Sequence, residues 1–559
     1  MAKLWAPVLA LLLGLLLALF GTASSVPQPE DSPASGFSSG RAMRDVGRIA
    51  SEPHVTASEA NLRVAEYLQG RLSSLGLTVS TQVFELPDRS NEKLRTLFGS
   101  PETAMPPTNI IGTWGDVNAG NAVLLMAHYD SAGGSPGAAD DAAGVAAILE
   151  TLRALSESGA PPERGLVVLF TDAEEIGLAG ARSFFAEHPL ADRIEAIINL
   201  EARGSGGRAT LFQTSARNGE AIRRYAEGVS RPGASSAAAF VYSLLPNDTD
   251  LTPALERDYT AYNFAFIGRP GLYHSPLATP ETLDEGSVQD MGDQLLALTC
   301  ALLDARPLPP KAENITFFDA FGLFLIHYPT WAGWVLLVLA AGLHLAANER
   351  ASVRAAGRRM AGTLAVALGG GGMIYLLNLV SGADGPVNYY DRLAAIPAIE
   401  VMSLLALLAV LALSVRLWNV RVASLAGLVC ALALQILAPT VAYFAVWPML
   451  LGGAALAATK YLPGAAGRGA AAVCSALVIG FLLQNGHWLM QGVGPDMPWT
   501  AALLAAMSLP ALAAVLPPEM PSRPLRLFAG LCLILALGMA VWIRLDPIAE
   551  TAAVYSRFG

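Results

Sequence analysis

Acidic and histidine side chains recur along the first half of the chain, and each comes at the end of an apolar, strand-like run. The carboxyl ends of the strands form the ligand crevice of an open α/β sheet, so these side chains are expected to converge there. Imidazole and carboxylate groups are the usual protein ligands of catalytic zinc. The sequence therefore predicts a two-zinc hydrolytic site built from His128, Asp140, Glu174 with Glu175, Glu201 and His274.

The first of these positions lies in AVLLMAHYDS, where His128 and Asp130 follow a buried strand at the spacing HxD. A neutral imidazole binds zinc well when its other ring nitrogen donates to a fixed acceptor. A carboxylate two residues along an extended chain is suitably placed to accept that bond. We therefore expect His128 to bind metal and Asp130 to orient it.

Two adjacent pairs of carboxylates come next, and each pair has two interpretations. Asp140 and Asp141 precede a helix, so they could bridge a pair of metal ions or simply cap the helix, which is the commoner role of such residues. Glu174 and Glu175 follow the apolar run Leu166–Phe170. One glutamate of that pair could bind metal while the other deprotonates the attacking water, but acidic pairs are also common in the first turn of a helix.

The motifs HYDS, ADDAAG, DAEEIGLAGA, NLEARG and YHSPLATPETLD resemble those of co-catalytic zinc exopeptidases of the aminopeptidase Y and aminopeptidase S type. The resemblance extends over about Ala42 to Ala305. It implies zinc as the cofactor, two ions per chain, and a peptide as the substrate. It also implies a role for each residue: His128 and Glu201 on one zinc, Glu175 and His274 on the other, Asp140 as the bridge, Glu174 as the general base, and Asp130 and Asp141 as supports.

Two positions qualify this resemblance. Many soluble family members carry aspartate at the position of Glu201; a longer carboxylate still reaches a metal, but the metal preference can change. Tyr273, directly before His274, corresponds to an oxyanion donor in some members. A tyrosine beside a loop histidine is as often a packing residue.

The composition changes near Phe318. The 559-residue chain is 53% hydrophobic and 15% charged, and its mean hydropathy is +0.45. Apolar runs of about 20 residues recur after Phe318, long enough to cross a hydrocarbon core of roughly 30 Å. We predict eight spans there and a ninth near the N-terminus: 331–347, 361–380, 395–415, 422–437, 441–458, 470–483, 500–516, 527–543 and 5–20.

Lysine and arginine residues concentrate in every second loop between these spans. Such residues accumulate on the cytoplasmic side of a membrane. They are Arg350, Arg354, Arg358 and Arg359, then Arg416 and Arg421, Lys460 and Arg468, and finally Arg523 and Arg526. The pattern places the catalytic domain and the C-terminal tail on the non-cytoplasmic face. The composition favours a bacterial inner membrane with a periplasmic catalytic domain; in a eukaryote the expected location is the vacuolar or endoplasmic reticulum membrane.

The predicted fold is an α/β domain with a mainly parallel sheet flanked by helices, zinc-exopeptidase-like, followed by an all-α multi-span membrane domain. Thr56 and Glu59 have the spacing of a capping box and predict a helix that ends near Gly76. The expected segments are 1–23, a signal anchor or signal peptide; 24–41, a linker; 42–305, the zinc peptidase domain; 306–328, a linker; 329–545, about eight membrane helices; and 546–559, a tail.

Cysteine content argues against a disulfide in the soluble domain, and net charge narrows the possible partners. Cys300 is the only cysteine in the predicted soluble domain, so no disulfide can form within that domain. The net charge is −10, and no extended basic stretch occurs outside the predicted cytoplasmic loops, which argues against nucleic-acid binding. The expected partners are therefore a peptide substrate and the lipid membrane.

These features predict a membrane-anchored zinc metallo-exopeptidase, an aminopeptidase, that hydrolyses peptides outside the cytosol. A carboxypeptidase remains an alternative, as does a glutaminyl-cyclase-like transferase, which shares the fold but generally works with one zinc. A transporter or receptor whose peptidase-like domain only binds peptide is a further alternative. Glu400, an ionisable residue within a predicted span, could serve such a role.

Overall fold

A computed structural model describes residues 5–98, 105–119, 121–157, 162, 164–305, 307–347, 361–384, 389–517 and 520–545. The predicted tail 546–559 and the predicted cytoplasmic residues Arg350, Arg354, Arg358 and Arg359 lie outside these ranges. The chain divides into two compact units. One unit is Ala23–His327, and the other combines Met1–Thr22 with Tyr328–Glu550, each over its described residues.

The first unit is built on a seven-stranded mixed sheet, in which the four central strands run parallel. The spatial order is β1-β2-β4-β3-β5-β7-β6, and the parallel strands are β4, β3, β5 and β7. The edge strands β1 and β6, and β2 beside β1, pair antiparallel with their neighbours. The strands are β1 Thr78–Val83, β2 Thr108–Trp114, β3 Ala122–His128, β4 Leu166–Thr171, β5 Ile194–Ala202, β6 Thr210–Thr214 and β7 Thr260–Phe266.

The mainly parallel sheet flanked by helices is confirmed, because β4, β3, β5 and β7 pair in parallel. Strands β3, β4 and β7 are buried along their whole length, as expected for parallel strands covered on both faces. The helices of this unit are Ser39–Ile49, Glu59–Ser74, Asp88–Phe98, Ala142–Ser156, Ala179–Glu187, Gly219–Gly228, Ser236–Tyr242, Leu251–Ala254 and Glu285–Asp304.

The predicted capping box at Thr56 is wrong. The helix that follows begins at Glu59, and its N-cap is Ser58, whose side chain accepts from the amide of Asn61. The hydroxyl of Thr56 donates instead to Oδ2 of Asp130, at 3.2 Å. A tertiary hydrogen bond to a buried carboxylate has replaced the expected local cap.

Both segments predicted as linkers contain ordered structure. In the first, Ser25 Oγ donates to Asp290 at 2.7 Å, and the ring of Phe37 packs on Gly292, so the segment lies along the helix Glu285–Asp304. The second contains a two-stranded hairpin, β8 Ile315–Asp319 and β9 Leu325–Pro329. The domain boundaries themselves stay predictions.

The second unit is helical. Among its described residues, six helices are long and apolar enough to cross a membrane, and a pair bent by 49° could form a seventh span. The six are Trp5–Thr22, Gly362–Ala383, Ile396–Leu417, Val420–Leu437, Gly464–Val493 and Ser522–Leu545. The bent pair is Pro498–Met507 with Leu509–Val515, and the apolar helix Ala332–Ala347 is shorter. A multi-span membrane region is thus confirmed, whereas the count of eight stays a prediction.

Two contacts within this unit bear on the sequence analysis. Glu400 pairs with His487, whose Nδ1 lies 3.0 Å from the carboxylate, and Gln491 donates to the same carboxylate at 3.4 Å. Small residues of the N-terminal helix, including Ala10 and Gly14, are buried, and a Cβ added to Gly14 would lie 2.8 Å from Ile479. The N-terminal helix therefore packs closely on Gly464–Val493.

An ion-pair network in the first unit gives a stability prediction. Arg208 is fully buried and lies 3.6 Å from Asp290 and 3.5 Å from Asp319. Arg208→Met would leave both carboxylates buried without that cation, so we expect a loss of roughly 3–5 kcal/mol in the unfolding free energy of this unit. The matched control is Arg223→Met, which removes an exposed pair with Glu220 and should cost under about 1 kcal/mol. Equal thermal transitions for the two variants would contradict the prediction.

Candidate metal centre

The four parallel strands carry the predicted metal ligands to one edge of the sheet. His128 is the last residue of β3, and Glu201 lies at the end of β5. Glu174 and Glu175 follow β4, while His274 lies on the loop after β7. Because these strands are parallel and adjacent, their carboxyl ends meet at the same edge.

Asp140 lies between the two histidines. Its Oδ1 is 3.0 Å from Nε2 of His128, and its Oδ2 is 3.0 Å from Nε2 of His274. Asp140 thus contacts a histidine 134 positions further along the chain as well as His128. Each oxygen of Asp140 faces a different imidazole, which is the arrangement that a bridging ligand requires.

Glu201 and Glu175 complete the two sides of this arrangement. Oε2 of Glu201 lies 3.9 Å from Nε2 of His128, and Oε1 of Glu175 lies 3.2 Å from Nε2 of His274. Ligand atoms of His128, Asp140 and Glu175 all lie within 4.8 Å of one another, close enough to hold one ion. The imidazole and carboxylate donors suit zinc, so the residues present fit the metal that the motifs imply.

The electrostatics of these side chains also favour a bound cation. Burial alone would lower the pKa of both histidines, but hydrogen bonds and charges from Asp130, Asp140 and Glu175 raise each pKa well above 6.5. Burial raises the pKa of Glu201 to about 8. A cation bound among these side chains would compensate the buried carboxylates, and its binding would favour release of their protons.

Glu174 lies beside these ligands and is suited to proton transfer. It is partly buried, and burial raises the pKa of its carboxyl well above 4.5, with the charge of Glu201 adding to the rise. A carboxylate with a raised pKa can both accept and return a proton near neutral pH. This is the chemistry that the sequence predicts for Glu174.

Asp130 contacts both His128 and the glutamate loop. Nδ1 of His128 lies 2.9 Å from the main-chain oxygen of Asp130 and 3.5 Å from its carboxylate. The two carboxylate oxygens instead accept the main-chain amides of Glu174 and Glu175, at 3.1 and 3.2 Å. Asp130 therefore holds the imidazole mainly through its backbone and holds the glutamate loop through its side chain.

Asp141 and Tyr273 have simpler surroundings. Oδ1 of Asp141 accepts the amide of Gly144 at 3.1 Å, so this residue caps the helix Ala142–Ser156, which was one of its two predicted roles. The ring of Tyr273 stacks on that of His274, with centroids 3.7 Å apart and planes at 24°. This stacking orients the histidine ring, and it leaves the predicted oxyanion role of Tyr273 untested.

Sequence reasoning missed several polar residues around the centre. Asn199 donates to Glu201 at 3.2 Å, and Thr56 donates to Asp130. Asp250 is buried and accepts from the hydroxyl of Thr171. Asn199 could have been noticed, because it is two residues before Glu201 on a strand and must face the same side. Thr56 and Asp250 gave no comparable signal, since they reach the site from distant loops.

Comparison with known proteins identifies the domain that carries this centre. Residues 109–299 match the model of peptidase family M28. The chain carries a peptidase family M28 domain. The resemblance inferred from the motifs is thereby confirmed.

Curated relatives of the M28 domain include membrane proteins. The mouse endoplasmic reticulum metallopeptidase 1 is 36% identical over 239 residues, which is 41% of this chain and 26% of that protein. The vacuolar membrane protease of Eremothecium gossypii is 31% identical over 318 residues, 54% of this chain and 30% of that protein. The chain thus matches less than a third of the length of these relatives.

Among solved structures, a zinc aminopeptidase from Bacillus subtilis is similar to this chain. The similarity extends over 52% of this chain and 99% of that enzyme. The sequence identity is 16%, and the TM-score is 0.39.

The contacts of Asp130 give a prediction about the glutamate loop. In Asp130→Ala, the amides of Glu174 and Glu175 lose their acceptors, so the loop should open more often. Hydrogen exchange at those two amides should then accelerate by at least tenfold, since losing bonds to a charged acceptor costs roughly 1.5–3 kcal/mol each. The control is Asp116→Ala, which removes an exposed carboxylate that caps only Asn118. Unchanged exchange in Asp130→Ala would show that Asp130 does not hold the loop.

Proposed function

We propose that the chain is a membrane-anchored two-zinc metallo-exopeptidase, and specifically an aminopeptidase. The single observation that carries the proposal is the position of Asp140, with one oxygen 3.0 Å from His128 and the other 3.0 Å from His274. On this assignment His128 and Glu201 hold one zinc, and Glu175 and His274 hold the other. The M28 domain and its membrane-protein relatives support the assignment.

The protein residues then divide the reaction between them. Zinc held at these positions would polarise the scissile carbonyl and acidify the attacking water. Glu174 takes the proton from that water and returns it to the leaving amine. Asp130 keeps Glu174 in place through the amide of the loop, and Tyr273 keeps the ring of His274 oriented by stacking.

The rival functions differ in metal content and in the substrate end that they recognise. A glutaminyl-cyclase-like transferase would use one zinc, whereas five ligands, one of them a shared carboxylate, support two. A carboxypeptidase would cleave peptides with a blocked amino terminus, and an aminopeptidase would not. A transporter or receptor that only binds peptide would show no turnover at all.

We further propose that the M28 domain lies on the non-cytoplasmic side of its membrane. The alternation of basic loops supports this orientation. In a bacterium the location would be the periplasmic face of the inner membrane, and in a eukaryote the lumen of the endoplasmic reticulum or vacuole. The N-terminal helix would be retained as a signal anchor, which its close packing in the membrane unit supports.

The role of Glu174 is tested by Glu174→Gln. The amide is nearly isosteric but cannot take up a proton, so turnover should fall by at least about 10²-fold while two zinc ions per chain remain bound. Metal content by mass spectrometry and hydrolysis of an amino-acid anilide give the two readouts. Glu256→Gln, at an exposed position, is the control and should keep both. Loss of zinc from Glu174→Gln would show that the base and ligand assignments are reversed.

The orientation is tested with alkaline phosphatase, which folds actively only outside the bacterial cytosol. Fusion within residues 384–391 should give an active reporter, and fusion within residues 462–468 an inactive one. The opposite pattern would place the M28 domain in the cytosol.

A further inference from the structure

A chain of buried amide groups begins at the metal ligand Glu201. Asn199 Nδ2 donates to Oε1 of Glu201 at 3.2 Å and to Oδ1 of Asn263 at 3.0 Å. Asn199 and Asn263 are register partners on the parallel strands β5 and β7, so the two side chains lie next to each other on one face of the sheet. Neither asparagine is exposed to solvent.

The hydrogen bonds of Asn263, at the other end of this row of side chains, determine which way the amides point. Nδ2 of Asn263 donates to Oε1 of Gln213 and to Oγ1 of Thr249, both at 2.9 Å. With its amino group committed there, Asn263 can offer only its oxygen to Asn199. The amino group of Asn199 must therefore lie between Asn263 and Glu201, and it donates one hydrogen to each.

This orientation leaves one polar atom of Asn199 unsatisfied. Its Oδ1 is buried and has no hydrogen-bond partner among the described residues. An unsatisfied buried acceptor destabilises a fold, so an amide that served packing alone would gain nothing from this placement. The placement does benefit Glu201, because a carboxylate can only accept and the amino group is its donor.

The contact also separates the two oxygens of Glu201. Oε1 faces Asn199, whereas Oε2 faces His128 at 3.9 Å. One oxygen is therefore held by the protein, and the other points into the space shared with His128 and Asp140. A ligand oriented in this way loses little freedom when an ion binds.

We propose that Asn199 is a positioning residue, which holds Oε1 of Glu201 so that Oε2 is presented to the zinc ion shared with His128. Asn263, whose amino group donates to Gln213 and to the hydroxyl of Thr249, fixes the direction of Asn199 in turn. This inference rests on the proposed two-zinc function. It assigns to Asn199 an effect on one of the two zinc sites only.

The test compares metal binding by the detergent-purified full chain and by Asn199→Leu, a variant of similar shape that cannot donate. Zinc is titrated into metal-free protein by calorimetry, and cobalt(II) absorption reports the geometry of the occupied site. We expect one of the two zinc affinities to fall about 10- to 100-fold, with the other unchanged, which is the usual effect of removing the partner of a metal ligand. Equal affinities in Asn199→Leu and the unmodified chain would overturn the inference.

A matched control separates this effect from general destabilisation. Asn218 is a buried asparagine of the same unit, which donates to Thr214 at 2.9 Å and accepts from the amide of Ile315, but it contacts no metal ligand. Asn218→Leu should lower the melting temperature of the metal-free protein and leave both zinc affinities unchanged. If it weakens zinc binding as much as Asn199→Leu does, the effect is structural and the inference fails.

If Asn199→Leu does not fold, Asn263→Leu provides the second variant. It removes the acceptor that orients Asn199 and should weaken the same zinc site, by a smaller factor. Unchanged zinc binding in that variant would overturn the inference. Failure of the proposed function would give a different result. The unmodified chain itself would then bind fewer than two zinc ions.

Discussion

The centre of the M28 domain depends on one electrostatic constraint. Several carboxylates are buried at one edge of the sheet, and buried charges are stable only when opposite charge lies among them. Protons on His128 and His274, whose pKa values are raised by the acidic groups around them, can supply that charge. Asp140 contacts both histidines, and these contacts lower its pKa to about 2 against the effect of burial. Cations that replaced those protons would satisfy the same constraint with the same side chains.

The surrounding fold keeps these groups in place by using hydrogen bonds of different kinds. The carboxylate of Asp130 accepts hydrogen bonds from the main-chain amides of Glu174 and Glu175. It also accepts one from the hydroxyl of Thr56. Asn199 holds Glu201 through a side-chain amide. The supports come from separate strands and loops, so movement of one does not release all the ligands together. Such support from outside the ligand set is what keeps a metal site in its reactive geometry.

The membrane unit follows a different physical rule. Its helices must satisfy their backbone groups internally, and they pack through small residues such as those of the N-terminal helix. Glu400, a carboxylate within one of these helices, is paired with His487 and Gln491. The pairing explains how a carboxylate can be accommodated in an apolar helix, and it gives Glu400 a partner that the sequence analysis did not anticipate.

The amino-acid sequence by itself determined the mainly parallel sheet and the set of residues at the strand ends. These features depend on local periodicity, on apolar runs and on motifs that are contiguous in the chain. The sequence also indicated the membrane half, because length and hydropathy of a span are local properties.

Only the tertiary structure decided the supporting contacts that join distant parts of the chain. Thr56 was expected to cap a helix but contacts Asp130, which lies 74 positions away. Asn199 and Asn263 meet because β5 and β7 are neighbours, although they are 64 positions apart. The strand order and the direction of each amide arise from packing and hydrogen-bond competition over the whole domain. Local patterns contain no record of that competition, so these contacts could not be predicted before the sheet was assembled.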